Sequence, residues 1–224
     1  MRMSELSDRS GVAIPSIKFY QREGLLPGGE RTSANQAQYD EGHLARLALV
    51  RALIDVGGLS VSSARAVLAA IGKTEMPVEW VFGVAQRAAS KSIPLADVVP
   101  SEAAFAEVDA LSATRGWAID AHNPGRPIAA RVVETYRAMG HDALIAGLGA
   151  YADAADIVAA ADLGAVASVS DRAAKIETVV VGTVLGDTLF AGLRRMAQQS
   201  LSQKQYLAST ETADVPTDCE EDVP

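Results

Sequence analysis

The chain of 224 residues has a single cysteine, Cys219, close to its C-terminus. One thiol excludes an internal disulfide framework, a cysteine-rich zinc site and a cysteine-ligated iron–sulfur cluster within one chain. Histidine is nearly as scarce, and His43, His122 and His141 have no ligand-like spacing. No metal and no cofactor is expected. The longest strictly apolar runs fall far short of the ~20 residues that cross a bilayer. The segment Met1-Arg2-Met3-Ser4-Glu5 lacks the apolar stretch of a signal peptide. These absences predict a soluble chain of the reducing cytoplasm with no membrane partner. Nucleophile–base spacing and a glycine-rich phosphate loop are missing too, which speaks against an enzyme. Period-2 alternation is absent over any useful length, so few strands are expected.

What is present is an ordinary globular mixture, 49% apolar and 21% charged, long enough to bury a core without staples. The net charge of −8 by itself argues against a nucleic-acid partner. The charge is unevenly placed, however. Residues 1–72 carry eight Lys or Arg against seven Asp or Glu, while residues 73–224 carry 12 against 21. A nearly neutral N-terminal segment is free to gather its cations on one face.

Helical periodicity and punctuation organise the chain. A short helix over 4–10, anchored by Leu6, stops at Gly11. A second over 14–23 has Pro15 in its first turn and ends at Gly24. Two short helices across a tight glycine turn make a helix-turn-helix candidate. Leu25-Leu26-Pro27-Gly28-Gly29 is a turn cluster, and the polar run Arg31–Tyr39 reads as a small hairpin, or wing. Asp40 caps a helix over 41–56, with Leu44, Leu47, Val50 and Ile54 on its apolar stripe. Ser60 starts another that closes at Gly72. Further helices are predicted over 77–91, 101–118, 124–139, 142–163 and 171–207, with Pro94 and Pro100 at a break. The polar, acidic stretch 208–224 reads as a disordered tail.

The ordered series Met3-Ser4-Glu5-Leu6-Ser7, Ser10-Gly11-Val12, Ile17-Lys18-Phe19-Tyr20, Glu23-Gly24-Leu25-Leu26-Pro27, Arg31-Thr32, Gln38-Tyr39-Asp40, Leu44 and Leu47 resembles the DNA-binding domain of the MerR family of bacterial transcription regulators. The resemblance covers residues 1 to about 72. It implies a homodimer on a two-fold operator in double-stranded DNA, with RNA polymerase at a promoter whose spacer must be distorted. It also implies that Ser16, Lys18 and Tyr20 on the second helix, and Arg31 and Tyr39 on the wing, contact DNA. Arg22 and Arg46 are further cations nearby, and Phe19 reads as core. Lys18 stands where the family usually has arginine, Phe19 where it often has tyrosine, and Gln38 where it has a second wing arginine. Lysine keeps the charge but loses the bidentate fork, so a modest salt dependence is expected.

The expected architecture is all-α with a small β-wing. A winged helix-turn-helix domain over 1–72 is followed by a connecting or dimerisation helix and linker over 73–100, and by a helical-bundle effector and dimerisation domain over 101–207. An alanine-rich bundle with few aromatics suits a small apolar effector, with Trp80, Phe105, Trp117, Tyr136, Tyr151 and Phe190 as candidate liners. Asp153, Asp156 and Asp162 suit a cationic one. The alternative is a bundle that only dimerises or binds a protein. Asp120-Ala121-His122-Asn123-Pro124-Gly125 matches the Asp-x-His-x-x-Gly pattern of cobalamin-binding domains, but no strand precedes it and Asn123-Pro124 reads as a helix cap. The last helix carries Gly182, Gly186 and Gly192, each costing roughly 1 kcal/mol relative to Ala. Such glycines point to close approach by another helix, in the same chain or in a dimer mate.

Overall fold

The computed structural model describes residues 1–33, 36–73, 75–91, 93 and 99–207. The wing tip at 34–35, the break at Pro94, and the tail 208–224 with Cys219 lie outside the described residues. Two compact units divide the chain, Met1–Gly186 and Asp187 onward.

In the first unit, α1 (Met3–Ser10) buries Leu6 and ends at Gly11, whose φ of 66° is the left-handed value that glycine adopts without penalty. Helix α2 (Ile14–Arg22) has Pro15 in its first turn and buries Ile17. Strands β1 (Glu30–Ser33) and β2 (Gln36–Gln38) pair antiparallel, with Glu30 opposite Gln38 and Arg31 opposite Ala37. Asp40 and Ser60 then cap α3 (Glu41–Arg51) and α4 (Val61–Ile71), accepting from His43 N–H and Ser63 N–H.

The predicted helix over 41–56 is not uniform. After Arg51 it widens into a π-turn over Ala52–Val56, which closes with Gly57 N–H donating to the Ala52 carbonyl. Helix α5 (Val78–Ser90) follows, then α6 (Glu102–Arg115), which stops at Gly116 (φ 67°), leaving Trp117 beyond the helix. Asn123 Oδ1 accepts Gly125 N–H at 2.8 Å just ahead of α7 (Gly125–Ala138), whose N-cap is Pro124, one residue later than expected. The predicted helix over 142–163 is broken at Gly147 into α8 (Asp142–Ala146) and α9 (Leu148–Ser168). Helix α10 runs from Arg172 to Ser202.

Three apolar clusters hold the first unit. Leu6, Val12, Ile17, Leu26, Tyr39 and Leu47 join α1, α2, the wing base and α3. A larger cluster joins Leu25, Val50, Leu53, Leu59, Val67, Leu68 and Val81 to Val166, Ile176, Val179, Val180 and Val184. The sequence groups residues 101–207 apart, yet Val166 and the first half of α10 share this core with α3, α4 and α5. A third, smaller cluster of Ala104, Val108, Ala130 and Val133 joins α6 to α7. Arg126 pairs with Asp109 at 2.7 Å and lies 4.4 Å over the Phe105 ring, and Arg137 pairs with Glu107, clamping the same two helices.

Candidate nucleic-acid interface

Ile17 is fully buried, which fixes the orientation of α2. The outward face then falls to Lys18 and, one turn later, Arg22, both exposed. The Arg22 guanidinium lies 5.5 Å over the Phe19 ring, so its position is set by an aromatic face. Phe19 is only half-buried, so it serves as that platform and not as the core residue expected from sequence. Ser16 is half-buried in the first turn of α2, and Arg31 is exposed on β1.

Tyr39 is packed at the base of the wing. It is 7% exposed and sits in the cluster with Leu6 and Ile17. Its ring meets His43 edge-on at 5.1 Å, and its hydroxyl accepts from Gln21 Nε2 at 3.3 Å. It is a core residue at the wing base. Gly29 makes room for it: an added Cβ there would stand 2.6 Å from the Gln38 carbonyl and 2.9 Å from the Tyr39 ring. Tyr20 also turns inward, packing against both larger clusters. Burial raises its phenol above the ordinary value, Asp55 adds to that, and Arg51 opposes it.

Several side chains that hold this face in place carried no clear signal in sequence. Gln21 Nε2 also donates to the Pro27 carbonyl at 3.3 Å, tying α2 to the turn before the wing. Arg46 Nε donates to the Leu25 carbonyl at 2.8 Å, and burial lowers its pKa. Arg46 is therefore a strut and not an outward cation. The Met1 ammonium donates to the Tyr39 carbonyl at 2.7 Å, and Tyr39 N–H returns a bond to the Met1 carbonyl at 2.8 Å.

The electrostatics separate into two groups. Glu23 is held by Arg65 at 2.8 Å, Glu41 by Arg9 at 2.7 Å and Asp55 by Arg51 at 3.1 Å. Asp40 is held below the usual carboxylate range by the His43 ring and then by His43 N–H. Lys18, Arg22 and Arg31 have no carboxylate partner among the described residues. Glu23, Asp40, Glu41 and Asp55 are thus engaged by other side chains, while Lys18 and Arg22 keep their positive charge on the α2 face.

Trp80 and Phe105, two of the six aromatic candidates further along, fall in different apolar clusters. Trp80 packs against the large cluster under Lys73. Phe105 lies beneath Arg126 in the α6–α7 cluster. Trp117 Nε1 donates to Asp156 at 2.7 Å, and Arg115 holds Asp153, so neither of these aspartates stands open for a cation. Tyr136 is half-buried, while Tyr151 and Phe190 are exposed. Two grooves on the first unit, one lined by Arg9, Leu44, Arg51 and Val56 and one by Pro27, His43 and Arg46, contain none of the six. Among the described residues no group of acidic, histidine and cysteine side chains is arranged for a metal.

Comparison with known proteins agrees with this geometry. Residues 1–71 match the family model of the MerR HTH family regulatory protein. The chain is 38% identical over 50 residues to the HTH-type transcriptional regulator ZntR homolog of Haemophilus influenzae, covering 22% of this chain and 37% of that one. It is 34% identical over 56 residues to the mercuric resistance operon regulatory protein of Bacillus cereus, covering 25% and 42%. The chain thus spans less than half the length of these curated relatives. The crystal structure of SCO5550 from Streptomyces coelicolor A3(2), assigned to transcriptional regulation, superposes with a TM-score of 0.63 at 33% identity, covering 92% of this chain and 98% of that one. The chain belongs to the MerR family of helix-turn-helix transcription regulators, with its DNA-binding domain at the N-terminus.

Proposed function

We propose that this protein binds a two-fold operator as a homodimer, in the cytoplasm, and acts on RNA polymerase at a promoter. Lys18, Arg22 and Arg31 are its outward cations, with Ser16 beside them. The observation that carries the reading is the division of α2 into two faces: a buried Ile17 orients the helix, Glu23 is held by Arg65, and Lys18 and Arg22 face out one turn apart. A recognition helix needs that division between a packed and a cationic face. Lysine and arginine at phosphates position the protein on the duplex, and they make binding depend on salt.

Response to a small molecule through the helical C-terminal half is the second element of the proposal. Trp80 and Phe105 lie in different apolar clusters and Trp117 is bonded to Asp156, which favours the alternative, a C-terminal half that dimerises or binds a protein without an effector. Thermal shift against a panel of apolar and cationic compounds separates the two, because a ligand that binds only the folded chain raises Tm.

The test of the main reading is a footprint on the DNA upstream of the protein's own gene, at stated salt. A protected two-fold site between the promoter elements supports it. A folded protein that protects no site and binds no duplex at low salt overturns it.

A further inference from the structure

Helix α2 carries an aromatic side chain that the core does not claim. Phe19 packs against none of the three apolar clusters of the described residues, although Ile17 before it is fully buried and Tyr20 after it packs against two of them. Each residue turns an α-helix by about 100°, so Phe19 stands roughly 200° around α2 from Ile17 and Arg22 roughly 140°. The direction opposite the core runs between these two, whereas Lys18, at roughly 100°, lies at the margin. Pro15, exposed and one turn before Phe19, shares that central line. The middle of the outward face is therefore a short apolar strip, Pro15 and Phe19, with cations beside it. A single apolar side chain elsewhere on a surface would need no explanation. Here it occupies the centre of the face that a recognition helix turns to DNA.

We propose that Phe19 reads thymine, its ring packing on the C5-methyl group in the major groove once in each half of the operator, an inference that rests on the operator reading above. Base pairs display hydrogen-bond donors and acceptors in that groove and one apolar group, the thymine methyl. A recognition helix brings its N-terminal residues to the base edges, and Pro15 and Phe19 lie in the first two turns of α2. Phenylalanine also brings no polar atom that would have to lose its water against the methyl. The ring is held from within and from without. Its centre is 5.8 Å from the Tyr20 ring, inclined at 55°, and Tyr20 is anchored in the core. The Arg22 guanidinium lies 5.5 Å over it, so a phosphate gripped by Arg22 fixes where the ring falls. Phosphate contacts position the helix and the base contact specifies the sequence.

The experiment uses the full chain and the operator duplex found by footprinting. Thymines are replaced by deoxyuridine one position at a time, in both half-sites together, which removes the methyl group and nothing else. At one position the parent should lose affinity about fourfold for each methyl removed, the worth of burying one such group. Phe19→Ala and Phe19→Gln should bind the thymine and uracil duplexes alike, while keeping the circular dichroism spectrum of the parent, because neither touches a cluster. A parent indifferent to uracil at every position, or variants that keep the parent's preference for thymine, would overturn the proposal. So would variants that fail to fold, since Phe19 would then belong to the core. A protein that protects a two-fold operator but ignores the methyl groups loses this inference and keeps the operator reading. One that protects no site loses both.

Discussion

Val184 of α10 rests directly on the backbone at Gly57, so that a Cβ at position 57 would lie 2.4 Å from Val184 Cγ1. The contact joins the end of the π-turn to a helix more than a hundred residues later in the chain. The Leu53 carbonyl would be 2.9 Å from the same Cβ. Gly57→Ala should therefore destabilise the fold by about 1–3 kcal/mol through overpacking, and Val184→Ala by about 2 kcal/mol through lost burial and a cavity. The double variant should recover part of the sum, because the Leu53 carbonyl still crowds the new methyl. Urea unfolding of all four chains measures the coupling; strict additivity would mean that the two residues do not touch.

Tyr39 gives a test of location. As a core residue, Tyr39→Ala should cost roughly 3–5 kcal/mol, the range for a buried aromatic. Tyr39→Phe should cost about 1 kcal/mol, since it removes only the hydroxyl that accepts from Gln21. DNA affinity of the folded Phe variant should change less than twofold. A large loss of affinity without a loss of stability would place the hydroxyl on DNA.

The outward cations make a prediction about salt. On the proposed homodimer, replacing Lys18, Arg22 or Arg31 by Ala should remove two phosphate contacts. Each replacement should make the slope of log affinity against log salt shallower by about 1.8, at roughly 0.9 per contact. The effect should be similar on operator and on unrelated duplex. Arg46→Ala, by contrast, should lower stability with a nearly unchanged slope, because its guanidinium serves the Leu25 carbonyl. Titrations at several salt concentrations decide between these outcomes.

The pH profile should lose stability at both ends. Asp40 is lowered from its ordinary value by the His43 ring and N–H, and Asp109 by Arg126. A depressed carboxylate contributes stability above its unfolded pKa, and that stability fades as pH falls through the folded value. Tm should therefore drop on acidification below the usual carboxylate range, and Asp40→Asn should flatten part of that limb. Tyr20 is raised by burial and then by Asp55, so its contribution is full below the unfolded pKa and is lost as pH rises through the folded one. Tyr20→Phe should remove that alkaline step, and absorbance at the phenolate band should show it.

Much of the N-terminal module was legible because its signals are local. Asp40 and Ser60 bond to N–H groups three residues away, Gly11 and Gly116 end helices through their own φ, and Asn123 bonds to Gly125 N–H two residues on. The ordered residues from Met3 to Leu47 were enough to identify the family. Local rules could not say which way Tyr39 faces, since it follows directly on β2 and only the packing of Leu6, Ile17 and Leu47 decides it. They could not show that Arg22 rests on Phe19, or that Arg46 reaches the carbonyl of Leu25, which lies 21 residues earlier. Nor could they show that Ile176 and Val184 leave the C-terminal half to complete a core with Val67 and Val81. The apolar stripe of α10 was visible as a period of three and four. A period shows that a face must be buried but does not name its partner. Tertiary structure alone assigned Ile176, Val180 and Val184 of that helix to the core beneath α4 and α5.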